Sequence, residues 1–364
     1  RYHKGGQCER FERRFARSLR GGYVQLCSSG TTALAHALAS LGIGPGDEVI
    51  VPAHTYMATA IAVVNVGAIP VIVDVDEAIT LDPAALERAI GPRTRAVMPV
   101  HMWGVVCDMD RIMKIARRHK LLVVEDCCQC AGGAYKGRMV GTFGDAGCFS
   151  FNFFKNVTCG EGGAVVSRTR EAHERVRCLT DSCGFYWTGR GKVQHPFVSG
   201  SARLSEIQGA MLNVQLDRLP RLLKDLRAKK QRILKATANT GLKPSPSHSL
   251  GWECGTMVMY LLPTAKQAEK FAKLAGCGIA GKTGRHTYNE WDPILARRGN
   301  LNPKLDPFHM AANRGCRMRY SKDMLPRSLD ILNRTVQIGL NPKQTSADIA
   351  AVIGKINAAA RTVL

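Results

Sequence analysis

An acid at the end of one apolar run and a lysine just past another carry the first chemical signal in this chain. The run Leu121–Val124 ends in Glu125 and Asp126, and the run Cys148–Phe151 is followed four residues later by Lys155. Gly160-Glu161-Gly162-Gly163 and a further apolar run, Ala164–Val166, come next. In an α/β sheet, ligands gather at the carboxyl ends of strands. A lysine amine there can form a Schiff base with an aldehyde. A carboxylate can pair with a protonated pyridine nitrogen, so that the ring becomes an electron sink. Pyridoxal phosphate (PLP) needs both groups. Taken singly, each residue has a plainer reading: Asp126 as a turn or cap residue, Lys155 as a solvated loop lysine.

A third feature joins them. Tyr23–Cys27 reads as a short strand, and Ser28-Ser29-Gly30-Thr31-Thr32 then leads into a helical pattern through Leu41. Hydroxyl residues and a glycine between strand and helix present backbone N–H groups to an anion, with the hydroxyls as added donors. An ordinary Ser/Thr helix cap is the alternative. The cofactor reading rests on the phosphate loop, the acid and the lysine together.

The elements that must position these residues alternate. Strands are expected at Glu48–Pro52, Pro70–Val75 and Ala96–Val100, and helices at Pro83–Ile90 (capped by Asp82) and Asp108–Arg118. Strand, helix and strand recur about every 25 residues, and near-continuous apolar strands belong to a parallel sheet covered on both faces. An amphipathic helix with Phe11, Phe15 and Leu19 on one face precedes them. Helices are expected at Arg170–Leu179, Leu204–Leu219 and Arg221–Ala238, with a long loop over 182–202. Beyond a Pro- and Ser-rich linker at 239–250, a strand at Thr256–Leu262 and helices at Lys266–Leu274 and Thr345–Ala360 suggest a smaller α+β unit. The expected organisation is therefore α/β: a large domain over 1–238 with a mostly parallel central sheet, and a smaller domain over 239–364. Residues 280–326 are polar and without periodicity.

Composition narrows the class. The chain has 364 residues, 45% of them hydrophobic, enough for a sizeable core. It has no run of about 18 apolar residues, so a membrane span is not expected. No signal-peptide pattern opens it, although a start at Arg1 leaves a preceding segment open. The thirteen cysteines are read as buried free thiols in a reducing, cytoplasmic setting, because a core of this size needs no disulfides. Cys127, Cys128 and Cys130 are clustered, but no second pair of cysteines completes a zinc site, and no metal is expected. The net charge is +22, from 51 basic and 29 acidic residues, which attracts anionic substrates or nucleic acid. The basic clusters at Arg10–Arg20, Lys224–Lys235 and Arg314–Arg327 lack interleaved aromatics, so they read as solvated surface rather than a nucleic-acid groove.

With those residues in place, the chain resembles the DegT/DnrJ/EryC1/StrS family of sugar and cyclitol aminotransferases, which are fold-type I PLP transferases. The resemblance runs from Phe11 to Pro342. It is carried by CSSGTTAL (27–34), PAHTYMATA (52–60), PVIVDVD (70–76), PVHMWG (99–104), VVEDCCQ (123–129), YKGRMVGTFGD (135–145), CFSFNFFKN (148–156) and GEGG (160–163). It implies Lys155 as the Schiff-base lysine and proton carrier, and Asp126 as partner of the pyridinium nitrogen. It implies Gln129 beside the cofactor, Tyr56 stacked on its ring, and Gly30, Thr31 and Ser150 on its phosphate. Ser201 stands where the family usually has an asparagine that reaches the partner subunit's cofactor phosphate. Ala131 replaces a usual histidine, and Cys127, Cys128 and Cys130 replace small residues, mostly alanines.

The activity so implied moves an amino group from glutamate or glutamine to a keto sugar or keto cyclitol, as in amino sugar and antibiotic biosynthesis, in a homodimer with interfacial sites. His101, Trp103, Tyr186, Trp187, Arg203 and the segment His286–Trp291 are the expected substrate walls, with Arg203 a candidate for the donor carboxylate. Two alternatives stay open: a PLP-dependent lyase or dehydratase, and a non-catalytic basic regulatory or nucleic-acid-associated protein on the same fold.

Overall fold

The computed structural model describes residues 6–183 and 197–364. A seven-stranded sheet forms its centre. In chain order its strands are β1 (Tyr23–Cys27), β2 (Glu48–Pro52), β3 (Ile69–Val73), β4 (Thr94–Val97), β5 (Leu122–Asp126), β6 (Ala146–Ser150) and β7 (Gly163–Ser167). Their spatial order is β1-β7-β6-β5-β4-β2-β3. The neighbours from β3 through β6 are parallel, and β7 is antiparallel to both β6 and β1. Two antiparallel steps restore direction, so β1, β2, β4, β5 and β6 all point their carboxyl ends the same way.

The strands are apolar on both faces because both faces are covered. Val49 and Val51 of β2 enter one core with Leu34, Leu38 and Val63, while Ile50 enters the other with Phe11, Phe15, Ile112 and Leu212. The first core lies under α2 (Gly30–Ser40) and α3 (Ala58–Asn65); the second lies under α1 (Gln7–Leu19), α4 (Pro83–Ala89) and α5 (Met109–Arg118). Asp82 and Asp108 cap α4 and α5 by accepting N–H bonds from Ala84 and Arg111. Helix α6 (Arg170–Thr180) follows β7.

One continuous helix, α7 (Glu206–Ala236), replaces the two expected on either side of Pro220. A proline inside a helix costs about 3 kcal/mol. Leu212, Leu216, Leu219, Leu223 and Leu226 form an unbroken buried stripe across it, and burying each leucine is worth about 1.5–3 kcal/mol. Packing therefore outweighs the break.

A second sheet has the strand order Lys243–Pro244, Met257–Leu261, Thr335–Gly339, Gly278–Ile279, all antiparallel. It packs with helices Ala265–Ala275 and Ser346–Val363 and the far end of α7 around Phe271, Tyr260 and Ile233. Residues 239–364 do not all join this unit. Tyr288, Trp291 and Phe308 are buried in the first core of the large sheet. Arg317 ion-pairs with Glu48, and the Asn313 amide donates to the Gly67 carbonyl at 2.9 Å. The irregular stretch 283–325 is thus tied to the large sheet by side chains and by backbone bonds to residues 53–55, not by an apolar period. Among the described residues, no helix is long and apolar enough to cross a membrane. All thirteen cysteines are free.

Burial gives the fold an acid limit. It lowers His36, His173 and His286 to about 4 and His54 to about 3. The unfolded chain, with histidines near about 6.5, then binds more protons than the native one. The stability these groups contribute is present above about pH 6.5 and is lost as pH falls through the folded values. Burial raises Glu12 to about 7, and His248 is raised, its burial outweighed by its hydrogen bond to Asp76; both work in the opposite sense, but they stand against four lowered histidines. The urea midpoint is expected to fall steadily from pH 6.5 to pH 4. A flat or rising midpoint would contradict this.

Candidate active site

The aligned carboxyl ends of the large sheet open on a cavity of about 540 Å³, within the range of small-molecule sites. Each strand end contributes. The β1–α2 junction brings Ser29, Gly30 and Thr31; the β2–α3 junction brings Tyr56; β5 brings Asp126 and Gln129; β6 brings Ser150 and, on the loop after it, Lys155. Of the residues expected from sequence, Gly30, Thr31, Tyr56, Trp103, Asp126, Gln129, Ser150 and Lys155 all line this one cavity.

Asp126 is held on both oxygens. Oδ2 accepts from the Thr59 hydroxyl at 2.8 Å and Oδ1 from the Cys128 N–H at 3.0 Å. The Thr59 hydroxyl lies 2.7 Å from that of Thr55, which extends the chain of hydroxyls. A carboxylate has about four acceptor sites, so this anchoring leaves room for one more donor from the cavity. The Gln129 Oε1 accepts from the Trp103 N–H at 3.4 Å, which leaves the Gln129 amide N–H groups as its donors.

At the start of α2 the Ser29 hydroxyl accepts from the Thr32 N–H at 3.1 Å, and the Ser29 carbonyl accepts from Ala33. The amides of Gly30 and Thr31 precede any intrahelical acceptor. A β-carbon on Gly30 would stand 2.8 Å from Ser150 Cβ and 3.0 Å from Cys128 Sγ. Glycine here lets the helix start and the end of β6 close on one small space beside the Ser150 hydroxyl.

Lys155 sits on a tight turn in which its N–H donates to the Asn152 carbonyl at 3.0 Å, and the Asn152 side chain donates to Glu161 at 2.6 Å. Among the described residues no carboxylate forms an ion pair with the Lys155 ammonium. Trp103 adopts φ 50°, a left-handed conformation that is uncommon for a bulky residue. The Thr256 hydroxyl fixes it by donating to the Trp103 carbonyl at 2.6 Å, and its ring stands edge-on to His54 and His286.

Other expected residues stand apart from this cavity. His101 does not line the cavity. It is fully buried, its Nδ1 accepts from the Cys107 N–H at 3.2 Å, and its Nε2 donates to Glu125 at 3.3 Å. Glu125 also accepts from the N–H groups of Gly141, Phe143 and Gly144 at 2.7–2.9 Å. His101, Glu125 and Cys127 are close enough to suggest a metal trio, yet the histidine and carboxylate are committed to hydrogen bonds that hold the 141–144 turn. Ser201 and Arg203 lie outside this chain's own cavity. Ser201 bridges to Asp181, and Arg203 ion-pairs with Asp181 at 3.0 Å. Tyr186 and Trp187 lie outside the described residues. Of the segment His286–Trp291, His286 reaches the cavity, while Tyr288 and Trp291 are core.

The cavity also contains Asn152, Asn156, Glu161, Thr256 and Arg285, for which the sequence alone suggests no role. Asn152, Asn156 and Glu161 flank the lysine within motifs already visible. Nothing in the pattern around Arg285 marks it.

A mostly parallel sheet with a lysine, an aspartate and a helix start at its carboxyl edge defines a fold-type I transferase architecture. The aminotransferase from Psychrobacter cryohalolentis shares it, with a TM-score of 0.80 at 26% identity over 99% of this chain and 92% of that one. The profile of the DegT/DnrJ/EryC1/StrS aminotransferase family matches residues 1–283, and the chain belongs to that family. Among its relatives, the GDP-perosamine synthase of Caulobacter vibrioides is 44% identical over 57% of this chain and 56% of that protein, so this match spans little more than half of that relative. The L-glutamine:2-deoxy-scyllo-inosose aminotransferase of Streptoalloteichus tenebrarius is 34% identical over 96% of this chain and 86% of that protein.

Proposed function

We propose that this protein is a PLP-dependent aminotransferase that moves an amino group from glutamate or glutamine to a keto sugar or keto cyclitol. One observation carries the reading: Lys155, Asp126, and the Gly30–Thr31 amides with the Ser150 hydroxyl converge in a single cavity. The residues fit the cofactor. The glycine at position 30 keeps the anion corner open, and Asp126 retains acceptor capacity. When bound, PLP supplies an aldehyde for the lysine amine and a ring that takes up the electron pair of a breaking C–H bond.

The rest is the work of the chain. Gly30, Thr31 and Ser150 hold the phosphate with N–H and O–H donors. Asp126 keeps a proton on the ring nitrogen. Tyr56, about half exposed at the mouth, covers the ring face. The Lys155 amine would take the α-proton of the donor and return it at the cofactor's aldehyde carbon, as general base and then acid. The relatives support the acceptor class, since the named activities of two of them concern perosamine and an inosose.

The test is a two-stage conversion. The holoenzyme is treated with glutamate or glutamine, freed of donor, and offered nucleotide-linked keto sugars, free keto sugars, inososes and simple 2-oxo acids. Formation of an amino sugar or aminocyclitol is expected. Amination of simple 2-oxo acids alone would reject the acceptor class.

A homodimer belongs to the same reading. Phe153 and Phe154, beside Lys155, are 72% and 85% exposed. Ile207, Met211 and Val214 form an exposed apolar stripe on α7, near Gln208, whose side chain donates to the Glu161 carbonyl at 2.7 Å. Exposed apolar surface beside a binding cavity is what a partner subunit covers. Sedimentation at micromolar concentration is expected to give twice the 39.7 kDa chain mass. A fully active monomer would contradict it.

A further inference from the structure

Arg285 is a cation of the cavity wall to which the proposed chemistry assigns no task. Its loop is rigid. The Glu290 carboxylate accepts N–H bonds from Gly284 at 2.7 Å, His286 at 3.0 Å and Thr287 at 3.2 Å. The Thr55 N–H donates to the His286 carbonyl and the Tyr288 N–H to the Ala53 carbonyl, both at 2.9 Å. The loop is therefore clamped to the chain leaving β2, next to Tyr56. Arg285 stands on that fixed backbone, and it lines the same cavity as Lys155.

Among the described residues no carboxylate pairs with Arg285. Its neighbour His286 is neutral at physiological pH, because burial, then the charges of Arg285 and Lys155, lower it to about 4. At neutral pH this stretch of wall thus presents one positive charge to the cavity. Arg203, the arginine that sequence suggested for a donor carboxylate, is engaged by Asp181.

An α-amino acid carries its carboxylate one carbon from the nitrogen that must approach Lys155, so the cation that holds it must share the cavity with that lysine. A phosphorylated acceptor offers the same oxyanion chemistry. We propose that Arg285 binds a substrate oxyanion, the carboxylate of the amino donor or the phosphate of the acceptor, through the paired N–H groups of its guanidinium. The proposal rests on the aminotransferase reading.

The test uses the holoenzyme and its Arg285→Gln and Arg285→Lys variants. Glutarate and uridine diphosphate serve as non-reacting probes in calorimetric titrations, and donor and acceptor KM values are measured separately. Arg285 is exposed, so both variants should melt as the wild type does. Arg285→Gln is expected to weaken one probe by about tenfold or more, the loss of a charge-assisted hydrogen-bonded pair. The KM of the matching substrate should rise more than kcat falls, with partial recovery in Arg285→Lys. Weakened glutarate binding assigns the donor carboxylate, and weakened uridine diphosphate binding assigns the acceptor phosphate. Unchanged affinity for both probes with unchanged KM values overturns the proposal. If the wild type binds a probe in an Arg285-dependent way but aminates no acceptor, the functional reading fails while the oxyanion site stands.

Discussion

Replacing Lys155 with alanine is expected to abolish amino transfer, with kcat falling by about 10³-fold or more, since both the proton carrier and the covalent attachment are lost. The fold should survive. The Lys155 turn is held by its backbone N–H to Asn152 and by the Asn152–Glu161 contact, neither of which uses the lysine side chain. Melting temperatures of variant and wild type should therefore agree. Lys155→Arg separates charge from chemistry: it keeps a cation in the cavity, but a guanidinium gives up no proton near neutral pH. It should be as inactive as the alanine variant. Activity within tenfold of wild type in either variant would remove Lys155 from the mechanism.

Asp126→Asn is expected to lower kcat by about 10²–10³-fold, the scale seen when one preorganised electrostatic partner is removed from a site. Asparagine is nearly isosteric and its carbonyl can still accept from the Cys128 N–H. The Thr59 hydroxyl, which now donates to Asp126 at 2.8 Å, can rotate to accept from the new amide. Shape is kept while the negative charge is lost, and with it the means of keeping a ring nitrogen protonated. The readout is kcat for both half-reactions alongside cofactor affinity. Retained kcat would contradict the role, and a loss of thermal stability alone would reduce Asp126 to a scaffold residue.

The large sheet was legible because its strands alternate between two cores. Val49 and Val51 face one and Ile50 the other, so an apolar run without polar gaps was the correct signature of a covered parallel strand. The site was legible where chemistry clusters at strand ends: Asp126, Ser150, Lys155 and the Gly30–Thr31 loop. His101 misled, because a histidine after a strand reads the same whether it faces a ligand or is sealed against Glu125. Pro220 misled for another reason: local propensity argued for two helices, and a buried leucine stripe made one. The stretch 283–325 gave no periodic signal because it is held by particular polar contacts, Glu48 with Arg317 and Asn313 with Gly67. For the same reason Arg285 could be found only in three dimensions.

The measurement that bears most directly on the account is chemical mapping of the cofactor. The protein is incubated with PLP, reduced with borohydride, digested and analysed by peptide mass spectrometry. The account predicts one modified lysine, Lys155, and loss of that label when glutamate or glutamine is added before reduction. Label on another lysine, or label at Lys155 that no amino donor removes, would contradict it.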